Sequence, residues 1–524
     1  PSNAEWRVLN SALDGRLVPL FESEYGRCFD YGTDARQLGA DSLCMQGHSC
    51  RLEECVVGNP PNHAAYAVEA RSVGDVELAM QFAIAYDLQV SVKTTGHSYQ
   101  GTSTQKGSLL IWTSDLPRLS SSGRIVNNYA DSCGTDYPEV IRAGGGETWE
   151  EVYAAVGLNN HIAGGGGLTV GAAGGWLQGV GLSAMSRRYG AGIDNVLDYD
   201  VVLPNGTRAT VDACSDGELF FALRGGGGGT FGVVVGVTYR LYPVEPVTLA
   251  VFSVTNPAYG NSFIDFWVDE SPVLDRDWNG YWGVDFLLLY YIGNANTAEV
   301  EAQPFVQALI ADMEAWMLAN GVDQRPGDLT LLSFPSGYYQ SRVNGETDPT
   351  GYLDLALGSW LVPREYALRN GGADAKALIK ELRDSGATAL SYFLGGAMTD
   401  PLVEDTAVHP AMRTALWQIN VISEANMNIL RQRVPSGGPG FNHHSKFEDP
   451  LTLWGDSNRY DTLLAIKNRV DSAGRLNCFH CVGFRDVSYT YNEADITYSP
   501  NAASTPSARV ALFGMLTALL LLFT

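Results

Sequence analysis

The 524-residue chain predicts an α+β fold in two parts. Helical and alternating apolar spacings intersperse over residues 61–245, which reads as one mixed unit. Glycine there gathers into two long runs, GGGGLTVGAAGGWLQG (164–179) and RGGGGGTFGVV (224–234), with no repeat period. From residue 246 glycine thins and aromatic residues rise (FIDFWVDE, WNGYWGVDFLLLYY, LGSWLV, LSYFLGG), as suits a second α+β domain built on an antiparallel sheet.

The elements follow in order. Residues 73–87 place Val76, Met80, Ala83 and Tyr86 at helical spacing, with Asp75 as the expected N-cap. Leu88, Val90 and Val92 then alternate with polar residues, so a strand runs directly into the loop VKTTGHSYQGTS (92–103), which carries His97. Strands are expected at 107–113 and 140–143, and a helix at 148–156 with Trp149, Val152 and Val156 on one face. Asn205-Gly206 is the preferred two-residue turn between LDYDVVL and TRATVD, predicting a hairpin. A short helix at 219–223 and a strand at 233–242, stopped by Pro243, complete the first part. In the second part strands are expected at 281–291 and 387–394, with helices at 299–318, 373–384 and 459–470.

Charge excludes some functions. The net charge of −24 and a pI of about 4.6 disfavour nucleic acid and electrostatic docking on an anionic membrane. The eight cysteines (28, 44, 50, 55, 133, 214, 478 and 481) suit disulfides in an oxidising compartment, and sequence leaves their pairing open. Cys478-Phe-His-Cys481 has CxxC spacing but no second ligand pair, so a disulfide is expected there and a metal site is not. The chain opens Pro-Ser-Asn without an initiating Met, as a processed N-terminus would. At the other end, small residues Asn501-Ala502-Ala503, a polar spacer and the uncharged stretch from Val510 to Thr524 read as a GPI-attachment signal. That stretch would span only ~22 Å as a helix, short of the ~30 Å hydrocarbon core. A secreted protein, anchored to the surface through that signal, is therefore expected, with membrane contact only through a lipid. Asn205-Gly206-Thr207 is an acceptor sequon for glycan.

Five successive glycines, Gly225 to Gly229, cannot fill a core, and their N–H groups suit an anionic pyrophosphate. The Thr230-Phe231 sequel lacks the Lys-Ser/Thr of a P-loop, which argues against a nucleotide triphosphatase. A loop histidine followed by two such runs suggests a large cofactor gripped by backbone, with one reactive side chain beside it.

Four segments in order, VKTTGHSYQGTS, GGGGLTVGAAGGWLQG, SRRYGAGIDNVLDYDVVLPNG and ELFFALRGGGGGTFGVVVGVTYRLYP, resemble FAD-linked oxidases of the vanillyl-alcohol-oxidase type, in the berberine-bridge-enzyme-like branch. A fifth, LWGDSNRYDTLLAIKNRVDSAGRLNCFHCVGF, resembles that family's C-terminal segment. The resemblance implies a PCMH-type FAD-binding domain of two subdomains at 61–245 after a cysteine-bearing segment, 1–60. It further implies a substrate domain at 246–440 and a segment returning to the FAD domain at 441–498, which leaves 499–524 for the attachment signal read from the tail.

The same resemblance implies the site. His97 matches the histidine that bonds covalently to the flavin. The family's second, cysteinyl link comes from a Cys-x-Thr-Val-Gly segment that reads Gly167-Leu168-Thr169-Val170-Gly171 here, so a single link is expected. Thr95, Gly96, Ser98 and Gly101 would line the pyrophosphate loop. Thr169, Gly171, Gly174 and Gly175 would line the flavin, joined by Asp194, Asn195, Val196, Gly229, Phe231, Gly232, Val234 and Asn442. The family's tyrosine before the C-terminal segment is replaced by Gly440-Phe441-Asn442-His443-His444, which makes His443 or His444 a candidate base. Tyr290 is a further catalytic candidate, with Asp285 and Tyr291 behind it, and Leu177 falls where the family controls oxygen access.

The expected function is oxidation of an alcohol, most plausibly a carbohydrate hydroxyl, by hydride transfer to FAD, with oxygen or another acceptor taking the electrons. The alternatives are a secondary-metabolite oxidase or oxidative cyclase, or a non-catalytic surface recognition protein. A monomer is expected.

Overall fold

The computed structural model describes residues 1–19, 64, 66–98, 102–105, 107–120, 125–165, 167–339, 358–387, 390–421, 423–445 and 447–485. Cys28, Cys44, Cys50, Cys55, Gly101 and the tail from 499 lie outside the described residues.

Two sheets form the first part. One has the order β1-β2-β4-β3, from β1 (Leu17–Pro19), β2 (Tyr66–Glu69), β3 (Val90–Lys93) and β4 (Leu109–Trp112). β2, β3 and β4 are parallel, and β1 adds antiparallel. The Val73–Ala85 helix is the crossover, burying Val76, Ala79, Met80 and Ala83 on this sheet. Its cap differs from expectation. Ser72 accepts the Asp75 N–H, while Asp75 caps back onto Ser72 and pairs with Arg16, so Asp75 is the acid of the capping box.

The second sheet is antiparallel. Its order is β5-β6-β10-β8-β9, from β5 (Ile125–Ala130), β6 (Asp136–Gly144), β8 (Val196–Val202), β9 (Arg208–Val211) and β10 (Val233–Arg240). Gly206 at φ +81° turns β8 into β9, and Asn205 at the tip is exposed. A Cys133–Cys214 disulfide ties the turn after β5 to the loop after β9. The Trp149–Val156 helix, capped by Thr148 and Glu151, buries Trp149, Val152, Tyr153 and Val156 in the central core. A short ladder joins β7 (Asn160–His161) to β11 (Tyr242–Pro243).

The second part is a seven-stranded antiparallel sheet with order β15-β12-β14-β13-β17-β18-β16. Its strands are β12 (Val247–Val254), β13 (Trp278–Trp282), β14 (Phe286–Ile292), β15 (Gly327–Phe334), β16 (Gly358–Pro363), β17 (Ser391–Phe393) and β18 (Ala415–Val421). The single strand expected at 281–291 is a hairpin instead. Gly283 donates to the Phe286 carbonyl at 2.9 Å, and the Phe286 ring takes the space a side chain at 283 would need. The helix expected at 299–318 is also two, Thr297–Glu301 and Pro304–Asn320, because Pro304 cannot continue a helix and starts the next one. Helices cover one sheet face through Phe263, Trp267, Leu309, Leu378 and Leu382. The other face meets the first part, where Leu249, Tyr290, Phe334 and Leu361 join its core.

The two parts are bolted together by Arg187. Its buried guanidinium donates to the carbonyls of Trp278, Leu394, Leu274 and Asp275 at 2.5–3.1 Å. The chain then returns to the first part. Asn477 N and Val90 N exchange bonds with Val90 O and Arg475 O along the edge of β3, and Lys467 Nζ donates to the carbonyls of Thr230 and Leu476. A Cys478–Cys481 disulfide sits beneath the Gly228 carbonyl. Among the described residues no His, Cys, Asp or Glu group could hold a metal, and no helix is long and apolar enough to cross a membrane.

Candidate active site

The three glycine-bearing segments converge. Thr95 Oγ1 accepts the Gly171 N–H at 3.0 Å, and the Thr94 side chain fills the space beside both Gly171 and Gly174. Gly228 approaches Gly175 so closely that a Cβ on Gly228 would lie 2.8 Å from the Gly175 Cα. Gly229, at φ +71°, faces Val92 at the end of β3. Gly175 itself differs from its neighbours: it is exposed, and a Cβ there would meet nothing within 4 Å. The backbone thus forms a floor with open space above it.

His97 stands at one side of that floor, half-buried, with Nε2 3.0 Å from Thr169 Oγ1. Gly96 precedes it at φ +81°, and Ser98 Oγ turns back to accept the Thr102 N–H. Residues 167–170 are half-buried along the same side.

Several residues carried over from the family serve packing in this structure. Asp194 caps Ala191 N and forms a buried two-point ion pair with Arg413 at 2.7 and 2.9 Å. Asn195 holds the Tyr189 and Ala191 carbonyls and accepts from the Tyr242 hydroxyl at 2.6 Å. Val196, Phe231 and Val234 are buried in the central core, and Gly232 sits against Val201. Leu177 is wholly buried in that core.

The opposing wall is the sheet. Its registers align one row across seven strands: Thr330, Val251, Leu288, Tyr281, Tyr392, Gln418 and Leu361. Val251, Leu288 and Tyr392 are half-buried, and the Tyr281 and Tyr392 rings meet edge-on at 5.0 Å. No charged side chain stands in the row. At its far end Gln418 Nε2 lies 3.2 Å from His443 Nδ1 and donates to Asn420 Oδ1 at 3.0 Å. Asn442 joins this wall to the floor: its amide donates to the Trp176 carbonyl at 2.9 Å and fills the space that a side chain on Gly179 would need. His443, the next residue, therefore stands where floor and wall meet. Burial pushes its imidazole down to about 4, so it is neutral near pH 7.

The other catalytic candidates are not brought there. His444 is fully buried, with Nδ1 2.6 Å from the Phe441 carbonyl and Nε2 3.0 Å from His480 Nδ1, so both nitrogens are engaged by the protein. Tyr290 is fully buried against Tyr338 on β14, three strands from Gln418. Tyr291 points to the opposite face, onto Trp278. Asp285 lies in the β13–β14 turn, its carboxyl pushed up by desolvation. Sequence reasoning missed Gln418, Asn420, Tyr281 and Tyr392. The signal for the amides was the alternation in LWQINV, two polar residues two apart in an otherwise apolar strand.

The floor suits FAD. At Gly175 bare backbone faces open space, with no side chain to keep a ring away from it. Among the described residues two buried polar atoms on the same glycine-bearing segments, Gln178 Oε1 and Thr230 Oγ1, lack a hydrogen-bond partner. Thr95, Gly96, His97, Thr169, Gly171, Gly174, Gly175 and Gly229 are the residues that would hold the group.

The comparisons agree. Residues 64–212 match the family model described as an FAD binding domain. The chain is 28% identical to the FAD-linked oxidoreductase cheF of Chaetomium globosum, over 93% of this chain and 87% of that protein. Its fold matches the VAO-type flavoprotein MtVAO615 of Myceliophthora thermophila at a TM-score of 0.74 and 22% identity, covering 92% and 95% of the two chains. It also matches the glucooligosaccharide oxidase of Acremonium strictum, whose FAD is 6-S-cysteinyl, 8α-N1-histidyl, at a TM-score of 0.62 and 18% identity, covering 90% and 98%. The PCMH-type, α+β two-part architecture expected from sequence is the architecture observed. The chain thus carries an FAD-binding domain, resembles FAD-linked oxidoreductases along most of its length, and shares the fold of the vanillyl-alcohol-oxidase-type flavoproteins.

Proposed function

We propose that the chain oxidises the hydroxyl of a neutral small molecule held between the glycine floor and the Val251–Leu288–Tyr281–Tyr392 row, with FAD tethered through His97. The observation that carries this reading is the placement of His97 and Thr169 at one side of an open backbone floor, with a wall lacking charge opposite. FAD, when bound, supplies the hydride acceptor. The chain's own residues do the rest. Thr169 holds Nε2 of His97 and so sets the face that its Nδ1 edge presents. Gly167, where many relatives of this branch have a cysteine, supports a single tether. Tyr281 and Tyr392 offer a platform for a ring, Val251 and Leu288 exclude water from it, and the Gln418–His443 pair makes one end polar.

Half-buried aliphatic side chains beside a single polar end favour an alcohol on an apolar or aromatic body. A carbohydrate hydroxyl is the second reading, supported by the tyrosine platform and by the likeness to an oligosaccharide oxidase. An extracellular location belongs to the same proposal, supported by two disulfides and by the exposed Asn205 sequon. Anaerobic mixing of the holoenzyme with neutral sugars and with apolar alcohols tests the reading. Bleaching of the flavin by an apolar alcohol is expected, and bleaching by sugars alone would favour the second reading. Bleaching by dithionite but by no alcohol would overturn both and leave the recognition role. Peroxide and dye assays on a reactive substrate then separate oxygen from another acceptor.

A further inference from the structure

The hydrogen bonds behind His443 run in one direction only. They begin at the Leu390 carbonyl, which can accept and never donate. Asn420 approaches it at 2.6 Å, so the atom there is the amide nitrogen, and Asn420 turns its Oδ1 the other way. The Gln418 atom 3.0 Å from that oxygen must donate, which makes it Nε2. The same NH2 group reaches His443 Nδ1 at 3.2 Å with its second hydrogen. Since an NH2 has no acceptor to offer, Nδ1 must carry the lone pair, and the ring proton stays on Nε2.

The surroundings hold this order in place. Gln418 is buried, and its Oε1 presses on Gly440, where a Cβ would come within 2.5 Å. Ser359 Oγ fixes Gly440 by accepting its N–H at 3.2 Å, and sits opposite Asn420 in the β16–β18 register. On the other face of β18, Trp417, Ile419 and Val421 lock the strand against the helices.

We propose that Gln418 and Asn420 are positioning residues that hold His443 as the neutral Nε2–H tautomer, its one lone pair turned onto the Gln418 amide, so that it is not the base that takes the hydroxyl proton. The statement about the base rests on the oxidation reading, but the tautomer itself does not. A second hydrogen on Nδ1 would face the Gln418 amide donor, so the arrangement also opposes the imidazolium. The low imidazole value at His443 agrees with that.

The test is nitrogen NMR of the ¹⁵N-histidine-labelled holoprotein, with His443→Gln identifying the His443 signals. The expected spectrum shows a bare Nδ1 and a protonated Nε2. Gln418→Glu puts an acceptor at Nδ1 and is expected to move the proton there, exchanging the two nitrogen shifts. A wild-type spectrum with the proton on Nδ1 would overturn the proposal, as would a folded Gln418→Glu protein whose Nδ1 stays bare. If Gln418→Glu does not fold, the wild-type spectrum alone decides. No turnover enters the measurement, so the tautomer can fail while the oxidation reading stands, and the reverse.

Discussion

Thr169 Oγ1 lies 3.0 Å from Nε2 of His97, joining the histidine loop after β3 to the first glycine run across 72 residues of sequence. Thr95 Oγ1 and Gly171 N make a second bond between the same two segments. The pair fixes a side chain that would otherwise rotate in a loop, and a tether forms efficiently only if its nucleophile is held.

Thr169→Val keeps the shape and removes the hydroxyl. The loss of one such bond, about 1 kcal/mol, is expected to slow flavin attachment roughly five-fold. Fluorescence of the denatured protein, normalised to protein stain over time after adding FAD to apoprotein, reads it. Attachment at the wild-type rate would show that Thr169 does not orient His97.

Gly175 and Gly228 touch but should respond differently. A methyl on Gly175 enters open space, so Gly175→Ala is expected to leave apoprotein stability unchanged while lowering FAD content. A methyl on Gly228 meets the Gly175 backbone at 2.8 Å, so Gly228→Ala is expected to lower apoprotein stability itself. Denaturation midpoints of the apoproteins and flavin-to-protein ratios of the holoproteins check both. Full flavin content in Gly175→Ala would move the ring away from that opening.

The Asp194–Arg413 ion pair is 10% and 2% exposed. Arg413→Met would strand the carboxylate, at a cost of about 3–5 kcal/mol. A marked fall in the denaturant midpoint is expected, with flavin absorbance retained below it. An unchanged midpoint would mean that Asp194 finds water on losing its partner.

His161 sits between Tyr189 and Tyr338, with Nε2 lacking a partner among the described residues, and burial pushes it down to about 3. Its unfolded value is about 6.5, so the fold binds fewer protons than the unfolded chain between those values. The stability associated with the neutral ring is complete above pH 6.5 and is lost as pH falls toward 3, at about 1.4 kcal/mol per unit. Glu147 and Asp198, whose carboxyls burial pushes up, act with the opposite sign, so a variant isolates the histidine. His161→Phe is expected to match wild type at pH 7.5 and to exceed it increasingly from pH 6 to 4.5, measured by urea denaturation. Parallel curves would contradict this.

Local signals were legible in the sequence because local rules fix them: the Asn205-Gly206 hairpin, the short helix after Thr148 and the glycine runs that form the floor. Single residues were misjudged where one side chain changed the local outcome, as with Pro304 splitting a helix and Gly283 folding a strand into a hairpin. The site was legible as far as backbone chemistry reaches. Partners far apart in sequence were not: Asp194 meets Arg413 across 219 residues, and Gln418 meets His443 from another element. His443 and His444 look alike in sequence, and only packing separates one at the floor–wall junction from one bound to His480.

The central claim is that His97 carries the flavin. The most direct measurement is flavin fluorescence of the purified protein in a denaturing gel, beside His97→Ala. The expected result is a fluorescent wild-type band and a dark variant band, with FAD still bound by the native variant. A dark wild-type band, or a fluorescent His97→Ala band, would contradict the account.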